Sequence, residues 1–133
     1  MVIITLYFVA VLVLLQIPMG LYVGVYRAKT GIQFLDGGDE TMMRRMRAHA
    51  NFTEYVPITL LALGAAELSG TPVPLIWGAG CALVAARLLH FAALIQVGPQ
   101  AGRGIGAATN TIVMLVLGAA ILLALGGSVG NGP

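Results

Sequence analysis

A stripe of polar side chains in an otherwise apolar chain is where this sequence could do chemistry. Four of them recur at helical spacing and share about a third of a helix circumference: Arg47, Asn51, Glu54 and Tyr55. An arginine on such a face can bind a carboxylate, a glutamate can bind an ammonium group, and an asparagine can satisfy an amide. The stripe therefore indicates a site for a zwitterionic ligand.

A purely structural role for the same residues is an equally good interpretation. Arg47 can be an interfacial side chain, and Glu54 can pair with Arg87 to hold two helices together. Arg87 lies in an apolar stretch and shares a helix face with His90. An arginine there needs a carboxylate, which either Glu54 or a ligand could supply. The residues alone leave both interpretations open.

Other kinds of site have little support. The two histidines, His49 and His90, have no cysteine or acidic residue at ligand spacing, so no metal site is expected. The one cysteine, Cys81, lies in an apolar stretch, where thiols are usually inert. A net charge of only +2 leaves no basic face long enough to follow nucleic-acid phosphates.

The elements that must position these residues are membrane helices. Of the 133 residues, 59% are hydrophobic and 9% are charged, and the mean hydropathy is +0.94. Soluble domains have about 25% charged residues. This composition excludes a disordered chain and a disulfide scaffold, and it indicates an integral membrane protein.

Four apolar stretches separated by short loops predict one all-α domain over residues 1–133. The predicted helices cover about 2–26, 44–68, 73–97 and 105–126. The first spans about 37 Å as a helix, enough to cross a hydrocarbon layer of about 30 Å. Short loops force neighbouring helices to be antiparallel, which predicts a transmembrane up-down-up-down four-helix bundle.

The positions of the basic residues predict the orientation. The first loop and its flanks contain Arg27, Lys29, Arg44, Arg45 and Arg47, and the third loop contains Arg103. The second loop and both termini contain no lysine or arginine. The positive-inside rule therefore predicts cytoplasmic first and third loops, with both termini outside.

The segment from Arg47 to Pro57 closely resembles the signature of the MAPEG superfamily, the membrane-associated proteins of eicosanoid and glutathione metabolism. The resemblance covers essentially the whole chain. It implies a homotrimer that binds glutathione, as co-substrate, between neighbouring subunits. The glutathione-binding positions that it implies are Arg47, Asn51, Glu54, Tyr55 and Arg87, together with His90, which stands where the transferases carry a tyrosine.

The resemblance also implies an activity. Arg103 resembles the arginine that faces the cysteine sulfur of glutathione in the transferases, and Arg27 matches an assisting arginine. The expected protein is a bacterial inner-membrane glutathione transferase or peroxidase that acts on lipophilic electrophiles in detoxification. The alternative is a non-catalytic lipid-binding protein of the same fold. A four-helix exporter is disfavoured, because the first helix has no carboxylate.

Overall fold

Four antiparallel helices form the molecule, and the computed structural model describes residues 2–130. The helices are α1 (Ile3–Thr30), α2 (Glu40–Leu68), α3 (Val73–Leu94) and α4 (Gly102–Gly130). No strand occurs within residues 2–130. The all-α four-helix bundle predicted from the sequence is confirmed.

Local capping explains why α2 begins four residues earlier than predicted. Asp39 is its N-cap residue, and its Oδ1 accepts a hydrogen bond of 2.8 Å from the Met42 N–H. Its Oδ2 accepts a second bond, of 3.0 Å, from the Tyr26 hydroxyl. The Met42 bond in particular holds the pKa of Asp39 below its ordinary value, because both bonds favour the carboxylate. Asp39 thus joins the start of α2 to the end of α1.

Three of the four helices, within the described residues, are long and apolar enough to cross a membrane: α1, α3 and α4. The first half of α2 is rich in arginine and does not meet that test, so its crossing stays a prediction. Its second half is apolar and packs one face against the bundle, where Val56, Leu63 and Ala66 are buried. The chain is an integral membrane protein.

The core runs the length of the bundle around α2 and α3. One cluster contains Phe8, Leu63, Ile76 and Leu117, and the next contains Leu12, Phe52 and Leu83. Helix α2 contacts each of the other three helices, whereas within residues 2–130 no Cα atom of α1 lies within 8 Å of a Cα atom of α4. The backbones of α1 and α4 are therefore kept apart, although both helices contribute side chains to the first cluster.

Glu67, the one charge near the second loop, closes the opposite end of the bundle. Its carboxylate accepts hydrogen bonds of 2.8 Å from the N–H groups of Ile4 and Thr5, and one of 2.7 Å from the Thr5 hydroxyl. These N–H groups belong to the first turn of α1, which has no intrahelical acceptors for them and attracts negative charge. Glu67 therefore serves as a remote cap for α1.

We expect Glu67→Ala to lower the free energy of unfolding by about 1 kcal/mol, the usual effect of losing a helix cap. Glu67→Gln should cost less, because its amide oxygen can still accept one of the bonds. Thermal unfolding in detergent should give the highest melting temperature for the wild type, a lower one for Glu67→Gln and the lowest for Glu67→Ala. Equal melting temperatures for the wild type and Glu67→Ala would contradict the capping role.

Candidate functional site

A polar groove of about 200 Å³ opens at the end of the bundle where the first and third loops lie. The start of α2, the end of α3 and the start of α4 form its walls. Its lining residues are Glu40, Met43, Arg44, Arg47, Ala93, Leu94, Gln100 and Arg103. Three arginines and one glutamate give the groove a net positive charge, so it attracts carboxylates.

Two of these arginines are available to a ligand. Arg44 forms an ion pair with Glu40, one turn earlier on α2. Arg47 and Arg103 are exposed, and neither forms an ion pair with any described residue. The groove therefore brings together a residue predicted to bind glutathione and the residue predicted to act on its sulfur.

His90 lies one turn before the groove-lining residues of α3 and contacts the backbone of Arg103. The His90 Nδ1 is 3.0 Å from the Arg103 carbonyl oxygen. A carbonyl oxygen can only accept, so Nδ1 must carry the hydrogen. The imidazole is buried and is not one of the groove-lining residues. In this protomer His90 anchors the first turn of α4, which carries the Arg103 side chain into the groove.

Arg87 is a buried cation with no carboxylate partner among the described residues. Its side chain is 2% exposed. Its Nη2 donates a hydrogen bond of 3.0 Å to the Gly106 carbonyl on α4, and its Nη1 lies 3.5 Å from the Asn51 carbonyl on α2. The guanidinium is 5.5 Å from the centre of the Tyr55 ring, and its Nε has no partner. Arg87 thus links α3 to α2 and α4. The suggested ion pair between Arg87 and Glu54 is not formed.

The polar stripe of α2 faces outward. Glu54 is exposed and unpaired among the described residues, and Tyr55 is 40% exposed. Asn51 is half-buried, and its Nδ2 donates a hydrogen bond of 3.0 Å to the Arg47 carbonyl one turn earlier. An ionised glutamate is costly against lipid, so this face must line a wet cavity or meet another protein surface.

Arg27 is held away from the groove. Its Nη1 donates to the Ile32 carbonyl at 3.2 Å, and its Nη2 lies 3.3 Å from the Met46 sulfur. It belongs to α1, none of whose Cα atoms lies within 8 Å of a Cα atom of α4 within the described residues, and it does not line the groove that contains Arg103. A single protomer therefore does not bring Arg27 and Arg103 together.

Two polar residues in the helices were missed by the sequence analysis. Arg45 packs its guanidinium over two tyrosine rings, 3.8 Å from the centre of Tyr22 and 4.2 Å from that of Tyr26. Asn110 on α4 is 1% exposed, its Nδ2 lies 3.3 Å from the Met114 sulfur, and its Oδ1 has no partner. The four-residue spacing of Tyr22 and Tyr26, which puts both rings on one helix face, could have indicated the Arg45 contact. The amide of Asn110 in an apolar helix could have indicated a buried polar residue.

The described residues contain no group of three histidine, cysteine, aspartate or glutamate side chains that could hold a metal ion. The fold and the groove together define a class: an integral membrane helical bundle with an arginine-lined groove at one end. The chain belongs to the MAPEG family, whose model matches residues 5–123.

Among curated proteins, the chain is similar to the inner membrane protein YecN of Escherichia coli strain K12 and of Escherichia coli O6:H1 strain CFT073. Each comparison gives 29% identity over 65 residues, which is 49% of this chain and 50% of the relative. The chain thus spans about half the length of the curated relatives that it matches.

Proposed function

We propose that this protein is a glutathione-dependent transferase or peroxidase that acts on lipophilic electrophiles in the membrane. The observation that carries the proposal is the groove that is lined by both Arg47 and Arg103, neither of which forms an ion pair with a described residue. Glutathione has two carboxylates, and arginine binds carboxylates with two parallel hydrogen bonds. MAPEG membership supports the proposal, because the family includes glutathione transferases and peroxidases.

The proposed chemistry begins with ionisation of the glutathione thiol. An ordinary thiol has a pKa of about 8.5 and is mostly protonated at pH 7. The Arg103 guanidinium stabilises the thiolate, which attacks an electrophilic carbon. In transfer, the new S–C bond forms as the leaving group departs, and the thiol proton goes to water. In peroxidation, two thiols reduce one hydroperoxide to an alcohol and water and become a disulfide.

We propose that the working form is a homotrimer, with the outward stripe of α2 against a neighbouring subunit. The exposed Glu54 supports this assembly, since that carboxylate is costly against lipid. A neighbouring subunit could also supply Arg27 beside Arg103, which one protomer keeps apart. In this assembly Asn51, Glu54 and Tyr55 would contact the bound glutathione. The buried Arg87 would add positive electrostatic potential to the same site.

We further propose an inner-membrane location, with the first and third loops in the cytoplasm. The basic residues of the two loops lie at the same end of the bundle, as the positive-inside rule requires of a cytoplasmic side. The relative from Escherichia coli is itself named an inner membrane protein.

Titration calorimetry of the full chain in detergent with glutathione tests the proposed binding. The wild type should give a saturable heat, and Arg47→Ala should weaken binding about 10- to 100-fold, the effect of losing a hydrogen bond to a charged group. Lys29→Gln is the matched control, because Lys29 is an exposed cation outside the groove. Absence of binding in the wild type, or equal affinity in Arg47→Ala, would contradict the proposal.

A non-catalytic lipid-binding function is the second candidate, and an apolar groove favours it. This groove, of about 320 Å³, lies between α1 and α2. It is lined by Leu12, Val13, Gln16, Phe52, Thr53, Val56, Pro57 and Leu60. Absence of glutathione binding by the wild type would shift the function to this candidate, whereas binding without turnover of an aryl halide or a hydroperoxide would indicate a different electrophile.

A further inference from the structure

A third groove, along the second half of α1, has the form of a lipid site. Its volume is about 420 Å³, and it is lined by Pro18, Leu21, Tyr22, Val25, Lys29 and Arg45. The α1 residues follow one face over twelve residues, about 16 Å of helix. This length matches one leaflet of a hydrocarbon layer about 30 Å thick. The groove shares no lining residue with the arginine-lined groove of the thiol site.

The groove is apolar along most of its length and cationic at the loop end. Pro18, Leu21 and Val25 form the apolar part, and the last turn of α1 adds the exposed Lys29. Arg45 reaches the same end from α2. An acyl chain fits the first part, and a phosphate is the natural counter-ion for the second.

The Arg45 guanidinium is fixed in place before any ligand binds. Its Nη1 donates a hydrogen bond of 3.0 Å to the Tyr22 carbonyl, and the two tyrosine rings hold its flat face. Its Nε has no hydrogen-bond partner. A cation that is already ordered loses little further entropy when an anion binds.

Among the described residues, no carboxylate forms an ion pair with either cation of this groove. Asp39 is close enough to interact electrostatically with Arg45, but the two form no ion pair. The Asp39 oxygens are already occupied by the Met42 N–H and the Tyr26 hydroxyl. Lys29 likewise has no ion-pair partner among the described residues. Two cations that form no ion pair therefore line the groove.

We propose that this groove binds one acidic phospholipid, with an acyl chain along α1 and the phosphate between Lys29 and Arg45. Basic pockets between membrane helices recognise acidic headgroups in this way. A covering protein surface would have to bring its own carboxylate to two cations, whereas the lipid supplies both the charge and the apolar chain. The proposal does not depend on the thiol chemistry.

Native mass spectrometry of the detergent-solubilised protein with phosphatidylglycerol or phosphatidylcholine tests the site. The wild type should retain phosphatidylglycerol about tenfold more strongly, because two cations face its net negative headgroup. Lys29→Gln should reduce that preference about fivefold, the usual effect of one basic residue near a membrane surface. Leu21→Trp, which fills the apolar part, should weaken retention of phosphatidylglycerol.

Arg44→Gln is the matched control. Arg44 is adjacent to Arg45 in sequence but lines the arginine-lined groove, so this substitution should leave the lipid preference unchanged. Lys29 is exposed and its substitution leaves the Arg45–tyrosine packing intact, so a folded variant is expected. Equal retention of the two lipids by the wild type would overturn the proposal. So would an unchanged preference in Lys29→Gln, or displacement of the lipid by an equal concentration of inorganic phosphate. A second copy of the chain covering the groove, detected by crosslinking from Leu21→Cys, would also overturn it.

Discussion

Replacing Arg103 with alanine should slow conjugation of glutathione to an aryl halide by about 100-fold at pH 7, the usual scale for losing one electrostatic stabiliser. The Arg103 side chain is exposed in the groove and has no ion-pair partner among the described residues. Its backbone carbonyl, which His90 holds, is kept in the alanine variant. The substitution should therefore remove the charge without displacing α4.

The pH dependence of kcat at saturating glutathione separates this role from simple loss of binding, because kcat reports ionisation of the bound thiol. A guanidinium beside the sulfur lowers the pKa of the bound thiol, so the wild type should reach its full rate at lower pH. In Arg103→Ala the profile should shift toward the ordinary thiol pKa of about 8.5, and the difference in rate should narrow as the pH rises. Each unit of that shift corresponds to about 1.4 kcal/mol.

The controls for this experiment are Arg103→Lys and Lys29→Gln. A lysine keeps the charge but not the planar pair of donors, so Arg103→Lys should regain part of the rate. Lys29→Gln removes a cation outside the groove and should leave the profile unchanged. An unchanged rate in Arg103→Ala, with glutathione still bound, would show that another group activates the thiol.

The fold could be predicted because its signals are local. Runs of apolar residues interrupted by glycine, proline and charge define four helices, and short loops make the neighbours antiparallel. The helix ends were less predictable, since they depend on caps such as Asp39, whose partners include Tyr26 on the preceding helix. The polar first half of α2 lowers the mean hydropathy of that helix. The prediction that α2 crosses the membrane is therefore not tested by the structure.

The candidate site was only partly predictable, because many contacts in it involve backbone atoms. The pairing of Arg47 with Arg103 followed from a resemblance, and the structure brings both into one groove. The partners of Arg87 could not be predicted, because it donates to backbone carbonyls, which every residue carries. The same reason applies to His90, whose acceptor is the carbonyl of Arg103. Sequence identifies side-chain acceptors but not the carbonyl that a helix presents at a crossing.

The crossing of α3 and α4 therefore decides the geometry of the site, and Gly106 is its closest point. A Cβ at Gly106 would lie 2.7 Å from the Ala86 carbonyl oxygen and 2.8 Å from the His90 Cβ. The Gly106 carbonyl also accepts the bond from Arg87. The neighbouring atom is backbone, so α4 must move away to accommodate a methyl group. That movement lengthens two hydrogen bonds, from Arg87 to the Gly106 carbonyl and from His90 to the Arg103 carbonyl.

We expect Gly106→Ala to lower the free energy of unfolding by about 3 kcal/mol, the upper range for overpacking a close contact, and to weaken glutathione binding with it. Gly118→Ala on the same helix is the matched control. A Cβ at Gly118 meets no heavy atom within 4 Å, and alanine is the better helix former by up to about 1 kcal/mol. Thermal unfolding in detergent should therefore move in opposite directions for the two variants. Equal melting temperatures would mean that the helices separate freely at Gly106, and that the α3–α4 crossing does not hold Arg87 and His90 in register.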